Sequence, residues 1–195
     1  MFEEDNSSRN RIIKSAIKLI GIKGSLNITI REIAYEAKAN VAAVNYYFRS
    51  KSILLKEIEE YFNREVAVIC GILKDEKIPP KERILIWAKD YMNYLAENPG
   101  VIWTLGSKVL IRESISSSLD NFFSEIDVPL ISLIKKITGI EDDLTASLKK
   151  IQIISGIINP LLMYYGVGKD YGADFNDKDI RNIHVELLIK SILGC

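Results

Sequence analysis

Apolar positions recur along this chain at intervals of three, four and seven, the spacing of a helix face, with no convincing run of strand-like alternation. Ile13, Ala16, Ile17 and Ile20 make the first such face, with Ser7 or Ser8 as its N-cap and Gly24 as its stop. Thr29 and Glu32 have the spacing of a capping box, in which each side chain satisfies a backbone donor at a helix start. Ile30, Ile33, Ala34 and Ala37 then predict a short second helix. Asn40 can cap a third, in which Val44 and Phe48 lie four apart on one face, and Ser50 can cap a longer fourth beginning near Ser52.

The rest of the pattern stays helical and its joints are legible. Pro79-Pro80 breaks the chain and Pro80 opens a helix through Glu97, Asn98-Pro99-Gly100 makes the next turn, and a helix follows from Val101 to Glu113. Another starts in "SISSS" and reaches Gly139. Asp142 or Asp143 caps a long helix toward Tyr165, which Pro160 is expected to kink or interrupt. "GVGKDYGADFND" reads as a loop, after which Asn176 or Asp177 caps a last helix toward Leu193. The expectation is an all-α protein of about nine helices joined by short connections.

Composition adds a compartment and a charge pattern. With 195 residues the chain can bury a core without staples, and Cys70 and Cys195 lack any metal or redox spacing, so they read as free thiols in a reducing cytoplasm. The acidic, polar start is not a secretory signal, and no apolar run is long enough for a membrane span. Formal net charge is zero, yet residues 7–53 hold nine Lys or Arg against two Glu. A basic N-terminal segment on an acidic remainder suggests a polyanion-binding module of residues 1–52, joined to a body of residues 53–195 with another task.

A short helix, a tight turn and a second short helix in a basic segment is the geometry of a helix-turn-helix reader, whose second helix enters the major groove. The string "TIREIAYEAKANVAAVNYYFRSKSILL" resembles the DNA-binding signature of TetR-family transcriptional regulators, in its Thr before the second helix, its Ile-Ala pair, its short turn and its aromatic-Phe-x-Ser-Lys ending. The resemblance spans residues 7–60 and implies an N-terminal three-helix DNA-binding domain followed by a larger helical domain for ligand binding and dimerisation. It further implies DNA contacts from Thr29, Arg31, Asn40, Val41, Ala42, Ala43, Asn45, Tyr46, Tyr47 and Lys51. Within that set, helical spacing assigns Val44 and Phe48 to the core and Val41, Ala42, Asn45 and Tyr46 to the outer face, with Ala43 at its edge. Asn45 suits an adenine edge, the Val41 and Ala42 methyls suit thymine methyls, and Tyr47 and Lys51 suit phosphate. Tyr46 can pack its ring, offer its hydroxyl, or do both. The family often has Gly where this chain has Lys38, so either Lys38 adopts an unusual backbone or the turn shifts by one residue. Asn45 stands where many relatives carry Tyr, and Tyr47 where they carry His.

In the body, Trp87, Tyr91, Tyr94, Trp103, Phe122 and Tyr164 supply aromatic surface that is either core or the wall of an apolar effector cavity, with Asn93, Asn159 or His184 as polar handles. "IQIISGIINPLLMYY" and "VELLIKSIL" are apolar nearly all round, so the last two helices bury one face inside the subunit and another against a second copy, where Ser155 and Gly156 permit close approach. The functional expectation is a palindrome-binding dimeric repressor of double-stranded DNA, released by a small-molecule effector. The single His excludes HExxH and His-based triads, and neither a phosphate loop nor a dinucleotide fingerprint is present, so an enzyme and a bound cofactor are not expected. The rival is a helical ligand-binding or scaffold protein whose DNA module has degenerated.

Overall fold

Local capping determines where the helices start. In the computed structural model, which describes residues 2–111, 117–168 and 172–194, side chains are described for residues 8–107, 126–166, 168 and 172–194. Among the described residues nine α-helices run as α1 (Phe2–Lys23), α2 (Ile30–Glu36), α3 (Val41–Tyr47), α4 (Lys51–Cys70), α5 (Pro80–Glu97), α6 (Pro99–Ile111), α7 (Ser117–Thr138), α8 (Asp143–Val167) and α9 (Lys178–Leu193), with a 3₁₀ turn at Gly71–Lys74. The described residues contain no strand, and the fold is all-α as expected. No helix among them is long and apolar enough to cross a membrane.

The caps behave as their chemistry requires. Thr29 and Glu32 form both bonds of the capping box, Asn40 Oδ1 accepts from the Ala43 N–H at 2.6 Å, and Asp142 and Asp177 cap α8 and α9. Two expectations need correction. The first helix begins at Phe2, upstream of Ser7 and Ser8, which lie within it and do not cap it. The long C-terminal helix is not interrupted at Pro160: α8 is continuous to Val167, with Ile157 and Leu161 on either side of the proline fully buried. Packing of both flanks holds the helix through one lost backbone bond.

The chain divides into two compact units, Met1–Asn63 with Asn98–Ile115, and Arg64–Glu97 with Ser116–Cys195. The first unit takes its core from Ile12, Ile13, Ala16, Ile17 and Ile20 of α1, Ile33 and Ala34 of α2, Val44 of α3, Phe48, and Leu54 and Ile58 of α4, all of them buried. It also includes α6, which crosses α1 where Gly100 meets the Ile17 carbonyl. The second unit packs α5, α7, α8 and α9 around Ile84, Trp87, Tyr91, Leu130, Ile134, Ile153, Ile157, Val185 and Ile189. Two buried arginines staple its loops. Arg83 donates to the Ile78 carbonyl at 2.8 Å, and Arg181 donates to Asn93 Oδ1 at 2.6 Å and to the carbonyls of Phe175 and Asn176 at 2.7 and 2.9 Å. A carbonyl cradle of this kind satisfies the donors of a buried guanidinium.

Candidate nucleic-acid interface

The first unit's short helices sort their residues by face. Ile33, Ala34 and Ala37 of α2 and its C-cap point inward, and Val44 and Phe48 do the same for α3. The two acids of α2 are drawn sideways: Glu32 pairs with Lys23 and Glu36 with Lys18, each at 2.6 Å, both lysines belonging to α1. The Lys23 ammonium, assisted by the Thr29 N–H and hydroxyl, lowers the Glu32 carboxyl to about 2. What remains on the outer side of α2 is Arg31 and Tyr35, both exposed.

The turn from α2 to α3 is closed by backbone bonds from the Lys38 N–H to the Tyr35 carbonyl at 3.1 Å and from the Ala39 N–H to the Ala34 carbonyl at 2.9 Å. Arg11 braces it by donating from Nε to the Ala37 carbonyl at 3.0 Å. Lys38 itself takes the left-handed conformation, with φ of 48°. The turn keeps its register, and a lysine carries the backbone shape that glycine adopts without steric cost.

On α3, Val41, Ala42, Asn45 and Tyr46 are exposed, Ala43 and Tyr47 are half-exposed, and Val44 is buried. Tyr46, 76% exposed, meets the Tyr47 ring edge-on at 5.3 Å. Its ring therefore packs on a neighbour while most of its surface stays in solvent. Phe48 is fully buried beneath the Arg9 guanidinium, 5.8 Å from the ring centroid, and Arg9 in turn pairs with Glu57. Ser50 Oγ accepts from the Ile53 N–H at 3.3 Å, capping α4, so that Lys51 is its exposed first residue. Thr29 and Asn40 are exposed too, though their side-chain oxygens serve the caps of α2 and α3.

This arrangement of two seven-residue helices around a tight turn coincides with a family match. Residues 12–58 match the model of the bacterial regulatory proteins, tetR family. The N-terminal module is that of the tetR family. Over 76 residues the chain is 33% identical to the HTH-type transcriptional regulator BetI of Brucella abortus, an alignment covering 39% of this chain and 38% of that protein. The chain thus matches well under half the length of this curated relative.

Solved structures extend the likeness from the TetR module to the fold of the whole chain. A TetR transcriptional regulator from Legionella pneumophila superposes with a TM-score of 0.69 at 20% identity, covering 91% of this chain and 95% of that one. The regulator FadR of Bacillus subtilis, solved in complex with stearoyl-CoA, gives a TM-score of 0.63 at 16% identity and covers 92% and 96%. An N-terminal TetR helix-turn-helix followed by a larger helical region is therefore the architecture of this chain.

Outside the TetR module, the aromatic residues read as effector candidates have different surroundings. Trp87 and Tyr91 are fully buried and stack at 5.7 Å with planes 14° apart, and Tyr94 lies one turn further along α5, half-exposed. Burial, with Cys70 and Tyr94 nearby, pushes the Tyr91 phenol far up. Trp103 belongs to the first unit, where its ring faces Gly24. Tyr164 is tied at the corner between α8 and α9: its hydroxyl donates to Asp174, which pushes the phenol up to about 12, and accepts from Asn176 Nδ2 at 2.9 Å. The Phe122 side chain lies outside the described residues. Asn93 accepts from Arg181, and a His184 ring nitrogen meets the Gly156 carbonyl at 2.8 Å. Among the described residues no group of His, Cys, Asp and Glu is arranged to hold a metal ion.

Proposed function

We propose that this chain is a DNA-binding transcriptional regulator that reads a palindromic operator as a homodimer and acts as a repressor released by a small-molecule effector. The observation that carries the reading is the outer face of the tetR-type module. Arg31, Val41, Ala42, Asn45, Tyr46 and Lys51 are all exposed on it, while Glu32 and Glu36 are neutralised by lysines of α1. A surface of cations, amide and methyl groups without free carboxylates is what phosphates and base edges require. In this reading Arg31, Tyr47 and Lys51 meet the backbone, Asn45 reads an adenine edge, Val41 and Ala42 touch thymine methyls, and Ala43 lets the backbone approach closely. The module of residues 1–52 serves DNA, and residues 53–195 serve effector binding and dimerisation.

Dimerisation is supported by apolar side chains left in solvent. Leu144, Leu148 and Ile151 form an exposed stripe on α8, and Ile183 and Leu187 one on α9. Ser155 and His184 line a groove on α8 and α9 beside Pro160, and Gly156 lets α8 approach Leu188 of α9 within the subunit. Two copies joined along the stripes would present two recognition helices, whose separation has to match one helical turn of DNA, about 34–36 Å. An effector held in the helical body acts by favouring one arrangement of the pair over another. The stacked Trp87 and Tyr91, with Tyr94, are the apolar surface proposed to line its cavity, and the acyl-CoA held by the Bacillus FadR structure supports an effector of apolar character. The site of action is the cytoplasm, where the operator would be.

A degenerate module is argued from Lys38 and Asn45, the positions that depart from the family pattern. The left-handed backbone of Lys38, the shape that glycine takes at such a turn, supports a working turn. The deciding experiment is selection of duplexes from a random pool by the purified protein, followed by anisotropy titration. Saturable, salt-sensitive binding by a dimer supports regulation, and its absence sinks the proposal.

A further inference from the structure

Tyr35 is 88% exposed on α2, the most exposed of the large hydrophobic side chains described. An aromatic ring of roughly 200 Å² left in water has a cost, and its hydroxyl gives it a use only where an acceptor arrives from outside. Its position narrows what that acceptor is. Four residues along a helix return to within about 40° of the same direction, so Tyr35 stands one turn beyond Arg31 on one face. Lys38 follows at the turn, exposed, its backbone held in the left-handed region. The acids that alternate with these residues, Glu32 and Glu36, are held toward α1 by Lys23 and Lys18. Arg31, Tyr35 and Lys38 therefore form a cation, phenol, cation series along the outside of α2, with each neighbouring carboxylate already paired.

We infer that this series is a second backbone track, in which the Tyr35 hydroxyl donates to a phosphate oxygen and Lys38 pairs with an adjacent phosphate of the same strand. The inference deepens the DNA-binding reading and rests on it. In a helix-turn-helix the first helix crosses the sugar-phosphate backbone while the second lies in the groove, so the outer side of α2 is the side that a strand passes. A phenol suits that place because its ring covers a deoxyribose while its hydroxyl reaches the phosphate, without discriminating between bases. Lys38 then does two things at one position: it shapes the turn and supplies a charge that glycine could not.

The test uses the full-length protein and a 30-bp duplex that the wild type has selected from a random pool. Tyr35→Phe is expected to weaken binding about three- to tenfold, the loss of one hydrogen bond, with the salt slope and the base preference unchanged. Lys38→Ala is expected to lower the salt slope by about one. Circular dichroism melting confirms that each variant keeps its fold. Wild-type affinity in Tyr35→Phe, whether or not Tyr35→Ala binds normally, overturns the phosphate assignment of Tyr35, and an unchanged salt slope in Lys38→Ala overturns that of Lys38. If the wild type selects no duplex, the failure belongs to the DNA-binding reading itself.

Discussion

Gly100 of α6 sits so close to Ile17 of α1 that a Cβ at residue 100 would stand 1.9 Å from the Ile17 carbonyl oxygen. Gly21, one turn further along α1, is pressed in the same way, its hypothetical Cβ 2.8 Å from the Pro99 ring. Backbone lies against backbone here, and neither helix can yield as a flexible side chain would. Gly100→Ala is expected to destabilise the first unit by about 3 kcal/mol, the upper range of overpacking costs. A chemical-denaturation curve indistinguishable from wild type would contradict the close crossing.

Phe48 is fully buried below Arg9 and closes α3 against the first unit's core. Truncating a buried phenylalanine to alanine costs about 3–5 kcal/mol, a large share of a small unit's stability. Phe48→Ala should therefore lose helical signal at temperatures where Tyr46→Ala, whose ring is mostly in solvent, keeps it.

Lys51 and Asn45 separate affinity from selectivity. Lys51→Ala should weaken binding to all duplexes alike and reduce the salt slope by about one, as the loss of a phosphate contact does. Asn45→Ala should leave the slope alone and relax one position of the selected site by about 1–3 kcal/mol. Parallel selections with the two variants read out the difference.

Glu32 gives the first unit a defined acid limit. Its carboxyl is depressed from the ordinary value of about 4.5 to about 2, first by Lys23 and then by the Thr29 N–H and hydroxyl. A depressed carboxyl adds stability that is fully present above the unfolded value and is lost as pH falls through the folded one. The expected result is a loss of stability between pH 4.5 and pH 2 that Glu32→Gln flattens, measured as unfolding midpoint against pH.

The exposed stripes on α8 and α9 predict a change of assembly. Replacing Leu148 and Leu187, both more than half exposed, by Arg should leave the subunit folded and convert a dimer to monomers in sedimentation velocity. A dimer that survives both charges would place the interface elsewhere.

The starts of α2, α3 and α4 were legible because their signals are local. Thr29 with Glu32, Asn40 with Ala43, and Ser50 with Ile53 each act across three residues, and each bond is present. Spacing alone separated buried Phe48 from exposed Asn45 and Tyr46. The candidate site was less legible at Tyr35, because nothing in a linear pattern says that Glu32 and Glu36 are drawn away by lysines 9 and 18 residues earlier.

What the chain's order of residues determined by itself is therefore its helices, its turn chemistry and the family of its N-terminal module, all set by contacts within a few residues. Tertiary structure decided the rest. It joined α6 to the first unit through Gly21 and Gly100, residues whose importance lies in an approach across 79 positions of sequence rather than in any turn they make. It carried α8 through Pro160 because packing on both sides outweighs one missing bond, and it placed Lys38 in a glycine's conformation because α2 and α3 are held on either side. Such outcomes depend on which surfaces meet, and that is settled only when the whole unit packs.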